Sequence, residues 1–243
     1  MKILMMLTSF DNFNENNKKT GLFPDQFTSP YYIFKDAGAE ITLVTPDGGR
    51  PPLNEKNKNP TTPGNARLRA DLATQIALHN TLNLRQAAQL DFDALYIAGG
   101  YGVLWDVVEN HYAISIVESI FAASNPIAAV CHSSSIFCRA RTNTGEVIVS
   151  GKSVTGFSNS EEKTSGFNYV VPYSVEDELK KNGAKYSKGL DWEPYVISDG
   201  LLITGQNPNS SSLTAKTLLN KLKSQGHELK TDMLQKFGIF ELG

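Results

Sequence analysis

Four short apolar runs set the limits on how this chain can fold. They are Lys2–Leu7, Ile41–Val44, Ala94–Ala98 and Ile127–Val130. Each is nearly continuous in apolar residues rather than alternating, which is the pattern of a strand buried on both faces. Segments with helical spacing separate them. Ser29-Pro30 reads as an N-cap followed by proline at the first helical position, leading into Tyr31–Ala37 and ending at Gly38. Leu68, Leu72, Ile76, His79 and Leu82 recur at helical spacing, and 114–123 is a further helix. Alternation of this kind predicts one mostly parallel sheet with helices on both faces, a three-layer α/β sandwich of flavodoxin-like type.

The second half changes pattern. Val147–Val149 and Ser153–Thr155 flank Gly151-Lys152 and read as a hairpin. Ser174 opens a capped helix that Gly183 ends. Tyr195–Ile197 and Leu201–Thr204 flank Asp199-Gly200, the strongest hairpin dipeptide in the chain. Residues 210–222 form a last amphipathic helix. Residues 46–65, rich in Pro, Gly, Asn and Lys, read as a long surface loop. We therefore expect one α/β domain over 1–223 and a polar C-terminal tail over 224–243.

Composition narrows the function classes. The 243 residues carry a formal net charge of −2, so no basic field argues for nucleic acid or an anionic membrane. No apolar run approaches a membrane span, and the N-terminus reads as a first strand rather than a signal peptide. The two cysteines, Cys131 and Cys138, lie about two helical turns apart, roughly 10 Å, too far for a disulfide. No Cys/His cluster has metal-ligand spacing. A reduced, cytoplasmic protein is expected.

Cys131 carries the strongest chemical signal. It follows the run Ile127–Val130 directly, and Ser133–Ser135 open the next helix. A strand-to-helix turn lifts a side chain out of the sheet and aims helix N–H groups at it. We expect such a thiol to ionise easily. Gly99-Gly100 ends the third strand and lets backbone approach, so the N–H groups of Gly100 and His132 are candidates for an oxyanion hole. Of the four histidines, His132 is the candidate base. Adjacent side chains usually point apart, so its contact with Cys131 is left open. Cys138, between Phe137 and Arg139, reads as core. Trp105-Asp106 reads as a helix start and Trp192 as a packing residue.

These motifs together resemble the ThiJ/PfpI superfamily, a type 1 glutamine amidotransferase-like group, and within it the branch of heat-shock chaperones with glyoxalase III activity. The resemblance runs from about Lys2 to Leu222 and rests on several segments. They are Leu7-Thr8-Ser9, Lys19-Thr20-Gly21, Ser29-Pro30-Tyr31, Asp36–Glu40, the Gly48-Gly49 to Leu53 stretch, and Gly99-Gly100 with Trp105-Asp106. Ala129–His132, Gly151–Ser158 and Gly205–Pro208 complete the set. The resemblance implies Cys131 as nucleophile, His132 as its partner and Glu162, beside Glu161, as the acid. It implies a cofactor-free conversion of small reactive aldehydes such as methylglyoxal to lactate, a deglycase activity, and a homodimer. It also carries the alternatives of a stress-linked chaperone, or of a redox-sensing or binding protein. A true glutaminase fits less well, because such enzymes place their His later and the later His here is His227.

Three positions depart from the family pattern. Gln26 stands where a glutamate that bonds the reactive Cys is usual, Tyr101 where His is frequent, and Ser133 where Gly is usual. An amide can donate a hydrogen bond but cannot transfer a proton. A phenol is a poor base near neutral pH.

Overall fold

Strand β1, Lys2–Met6, lies inside the sheet, and Ile3 through Met6 are fully buried. The structure, a computed structural model, describes residues 1–13, 18–53 and 62–237. Its other strands are β2 (Asn12–Phe13), β3 (Lys18–Lys19), β4 (Glu40–Thr45), β5 (Leu82–Asn83), β6 (Ala94–Ile97) and β7 (Ile127–Val130), then β8 (Ser153–Val154), β9 (Lys185–Tyr186), β10 (Val196–Asp199) and β11 (Leu202–Gly205). The main sheet has the order β10-β11-β7-β6-β1-β4-β5. All its neighbours are parallel except β10 with β11. The α/β sandwich expected from the apolar runs is the observed architecture.

The helices are α1 (Pro24–Asp36), α2 (Pro63–Ala70), α3 (Leu72–His79), α4 (Leu84–Ala87), α5 (Val103–Asp106), α6 (His111–Ala122), α7 (Asn159–Ser165), α8 (Val175–Lys181) and α9 (Ser211–Phe237). Tyr96 shows how they cover the sheet. Its ring meets Phe34 of α1 at 5.4 Å and its hydroxyl donates to the Ser211 carbonyl at the start of α9. Alternation along β6 turns Leu95 and Ile97 to the other face. Helix α6 packs on β6 and β7 through Ala113, Ile116, Val117 and Ile120, one face at helical spacing. Each fully buried aliphatic side chain contributes roughly 1.5–3 kcal/mol, so the central strands are strongly pinned in register.

Several local expectations are corrected. Helix α1 begins at Pro24, so Ser29-Pro30 lies inside it; Pro24 already takes the first-turn position that a proline fits. That shift brings Gln26 into the first turn. The stripe from Leu68 to Leu82 is broken at Asp71, which caps α3 through Thr74 N at 3.0 Å. Leu72 and Ile76 are exposed there rather than core, and Leu82 belongs to β5. The supposed loop over 46–65 ends in a helix start capped by Thr62, and its stretch 54–61 falls outside the described residues. No hairpin forms around Gly151-Lys152: β8 pairs parallel with β9, while Val147 bridges Arg141. The hairpin at Asp199-Gly200 does form, with Asp199 opposite Leu202. Helix α9 runs past residue 223, across the boundary expected for the tail. No helix among the described residues is long and apolar enough to cross a membrane.

Candidate active site

Cys131 takes φ +63, a left-handed conformation that costs a non-glycine residue about 1–3 kcal/mol. It comes straight after the extended Val130. The positive φ turns the thiol out of the line of β7 and swings the next side chain back beside it. Cys131 Sγ and His132 Nδ1 are therefore 3.1 Å apart, although the two residues are adjacent in sequence. Gly99, just after β6, makes room for this elbow. A β-carbon there would stand 2.7 Å from the Val130 carbonyl oxygen and 2.8 Å from the Cys131 β-carbon.

The other ring nitrogen of His132, Nε2, lies 2.8 Å from Glu162 Oε2. Glu162 is carried by α7, whose start is fixed by a capping box between Ser158 and Glu161. Cys131, His132 and Glu162 are all buried. Tyr101 and Phe157 pack against the imidazole, each with its ring centroid 4.4 Å away, and meet each other at 6.3 Å. A carboxylate on one nitrogen orients the ring and stabilises the imidazolium. The structure thus brings together all three residues that the family resemblance singled out.

The segment after Cys131 is a 3-10 helix over Cys131–Cys138, not an α-helix. Its hydroxyls explain the tighter winding. Ser133 Oγ donates to the Val130 carbonyl at 2.8 Å, and Ser135 Oγ to the His132 carbonyl at 2.8 Å, bonds that reach back three residues. Ser133 Oγ also accepts from the Val130 N–H at 3.0 Å. Its Oγ also lies 3.1 Å from the Ile97 carbonyl, so its side chain is absorbed by the backbone of β6 and β7.

Burial pushes the Cys131 thiol well above the usual range, and the nearby charges of Glu162 and Glu161 add to that shift. The backbone N–H groups of His132 and Gly100 pull the other way. The expectation of an easily ionised thiol is corrected: desolvation outweighs the donors at the turn. The same two N–H groups were the candidates for an oxyanion hole, and both bear on the sulfur.

Gln26 is fully buried, and its Oε1 finds no hydrogen-bond partner among the described residues. That oxygen lies 2.8 Å from where a Gly99 β-carbon would be, on the Cys131 side of the site. Asp25 does not substitute for it, because its carboxylate accepts from Thr62 Oγ1 at 2.6 Å. Tyr101 contributes its ring to the wall. Burial, then the Glu162 charge, push its phenol far up, which removes it as a base. Phe13 and Phe167 continue that wall, meeting the Tyr101 ring at 6.4 Å and 4.6 Å.

Asp106 is not at a helix start. It ends α5 and accepts from Thr8 Oγ1 at 2.9 Å and Ser9 N at 2.6 Å, tying down the loop after β1. Cys138 is buried core, as expected. Sequence reasoning passed over Phe157, and it named Glu161 only as a neighbour of Glu162. The Ser158-x-x-Glu161 spacing was the available signal for the latter. Among the described residues no group of three or more His, Cys, Asp or Glu side chains is arranged to hold a metal ion.

The site is thus a thiol on a positive-φ elbow at the end of a strand in a mostly parallel α/β sheet, next to a His–Glu pair. The chain belongs to the DJ-1/PfpI family, whose profile matches residues 25–221. It is 30% identical to the glutathione-independent glyoxalase HSP31 of Saccharomyces cerevisiae, covering 92% of this chain and 98% of that one. It is 27% identical to glyoxalase 3 of Candida albicans over 90% and 97% of the two chains. Among solved structures, the 24 kDa rapid encystment protein of Francisella tularensis superposes with a TM-score of 0.85 at 37% identity, over 91% and 98% of the chains. Glyoxalase III of Candida albicans superposes with a TM-score of 0.81 at 25% identity, over 90% and 96%.

Proposed function

We propose that this chain is a glutathione-independent glyoxalase that converts methylglyoxal and related 2-oxoaldehydes to 2-hydroxy acids through Cys131. The observation that carries the reading is the Cys131–His132–Glu162 array, with contacts of 3.1 Å and 2.8 Å. It stands in a chain that matches named glyoxalases over nearly its whole length.

The chemistry follows from the geometry. The thiol is held protonated at rest, so the attack needs a base within reach. His132 Nδ1 takes the Sγ proton while Glu162 stabilises the imidazolium from Nε2. Sγ attacks the aldehyde carbon, and the new oxyanion faces the N–H groups of His132 and Gly100. The imidazolium returns its proton to that oxygen, giving a hemithioacetal. Neutral His132 next removes the hydrogen from the former aldehyde carbon. The electron pair moves to the neighbouring carbonyl as an enediol, and reprotonation at the second carbon leaves a thioester. Water then cleaves the thioester, with His132 as base, releasing lactate and the free thiol. The sum is methylglyoxal plus water giving lactate and a proton, with no cofactor in the balance.

Gln26 fits this sequence as an acceptor. Its unpartnered carbonyl oxygen suits the hydroxyl of the hemithioacetal, and its amide cannot move the proton itself. A redox-sensing role fits less well, because sensor thiols are ionised and solvent-accessible, whereas Cys131 is buried and held protonated.

The deciding experiment is D-lactate production from methylglyoxal without glutathione, comparing the wild-type protein with Cys131→Ala. Lactate from the wild type and none from the variant is the expected result. If neither produces lactate, or both do, the reading is overturned.

A further inference from the structure

Glu161 has no part in the steps above, yet it is the most heavily bonded side chain near the site. It is fully buried. Its Oε1 accepts from Trp192 N at 2.8 Å, Gln206 Nε2 at 3.0 Å and Asn207 Nδ2 at 2.8 Å. Its Oε2 accepts from Ser158 N at 3.2 Å and Ser158 Oγ at 2.7 Å. Every donor is neutral. The carboxylate is satisfied by hydrogen bonds, but among the described residues no cation pairs with it, and in a buried setting such a charge acts over a longer range than in water.

The donors come from three separate segments: the N-cap of α7, the loop between β9 and β10, and the chain just after β11. One of these reaches His132 directly, and a second reaches it through Phe157. Phe157, next to Ser158, lies with its ring 4.4 Å from the imidazole. Trp192 packs its ring on Phe157 at 5.7 Å and takes φ +65, a strained conformation in which its N–H meets Glu161. Glu161 also immediately precedes Glu162, so whatever fixes one fixes the start of the other.

We propose that Glu161 is a positioning residue of this site: a clamp that seats Glu162 and Phe157 against His132, and a second buried negative charge set beside Glu162. The inference rests on reading Cys131 as the nucleophile. The charge opposes the thiolate, so the Cys131 thiol releases its proton less readily. The titratable groups facing the pair are Glu161 and Glu162 from α7 and Tyr101 from the loop after β6. Tyr186 of β9 faces Glu161 from the other side.

The test is the pH dependence of Cys131 alkylation by iodoacetamide, followed by mass spectrometry of the Cys131 peptide so that Cys138 does not contribute. It uses wild type, Glu161→Gln and Glu161→Asp, each checked for folding by thermal unfolding. Removing the charge in Glu161→Gln moves the alkylation midpoint to lower pH by roughly half a unit or more. Glu161→Asp keeps the charge and shortens the clamp. It holds the wild-type midpoint but loses about tenfold in kcat for lactate, with little change in KM. An unmoved midpoint in folded Glu161→Gln overturns the electrostatic role. Wild-type turnover in Glu161→Asp overturns the clamp, and this arm stands even if Glu161→Gln does not fold. Alkylation needs no aldehyde, so failure of the glyoxalase reading shows as absent lactate from the wild type, whereas failure of this inference shows as an unmoved alkylation midpoint in Glu161→Gln or as wild-type turnover in Glu161→Asp.

Discussion

Gly99 lies so close beneath Cys131 that a β-carbon on it would stand 2.8 Å from the Cys131 β-carbon. The same atom would stand 2.7 Å from the Val130 carbonyl oxygen, which is backbone and cannot swing aside. The end of β6 and the elbow after β7 are therefore fitted to each other. Gly99→Ala is expected to destabilise the protein by about 1–3 kcal/mol, because overpacking a rigid site forces backbone movement. It is also expected to reduce lactate formation by more than tenfold, since Cys131 loses its alignment with His132. A melting temperature and a turnover number within error of wild type would show that the elbow tolerates a shift.

Gln26 invites the opposite kind of substitution. Among the described residues its Oε1 has no hydrogen-bond partner, and it lies 2.8 Å from where a Gly99 β-carbon would be, as the Cys131 β-carbon does. Gln26→Glu places a group able to accept a proton where the present amide can only accept a hydrogen bond. If removal of the carbon-bound hydrogen limits turnover, kcat for lactate rises by about tenfold or more, within the range of general-base catalysis. The cost is an unpaired buried carboxylate, so the melting temperature falls. An unchanged kcat would place the slow step elsewhere, at attack or thioester hydrolysis.

Asp106 gives the fold a signature in its response to acid. Burial raises its carboxyl to about 6, against bonds from Thr8, Ser9 and Phe10 that lower it. The folded state thus favours the protonated acid more than the unfolded chain does. That stabilisation is complete below the unfolded value near 3.8 and is lost as pH rises through about 6. At roughly 1.4 kcal/mol per unit, on the order of 3 kcal/mol is involved. Asp106→Asn removes the titration, so the stability of the wild type relative to the variant declines between pH 4 and pH 7. Urea unfolding of both proteins across that window measures it; a constant difference would show that Asp106 does not titrate there.

Much of the sheet is legible in the amino-acid order because β1, β6 and β7 are buried on both faces, as is the second half of β4, and such strands leave apolar runs. The same logic misleads for α3. Leu72 and Ile76 repeat at helical spacing yet face solvent, because periodicity reports amphipathicity without saying which side the core lies on. Helix α1 starts six residues before the Pro30 that the sequence suggests, because Ser29-Pro30 and Pro24 are both acceptable starts locally and only packing chooses between them. Cys131 stands out from its context, but its contact with His132 depends on the sign of one dihedral angle, which no residue pattern encodes. The ease of ionisation was misjudged for a related reason. A turn motif reveals nearby donors, whereas the depth of burial that outweighs them comes from strands distant in the chain.

His132 is lined by the rings of Tyr101 and Phe157, tied at its two nitrogens to Cys131 and Glu162, and almost sealed from solvent. An imidazole held this way does not turn over during a catalytic cycle, and its inner nitrogen has little chance to trade hydrogens with water. A hydrogen lifted from the substrate is then carried by one nitrogen and handed back to the adjoining carbon of the same molecule. Turnover in heavy water should leave a measurable fraction of light hydrogen at the second carbon of lactate, visible by proton NMR. The aromatic wall thereby gives the reaction an isotopic memory, which Phe157→Ala should erase by letting solvent in.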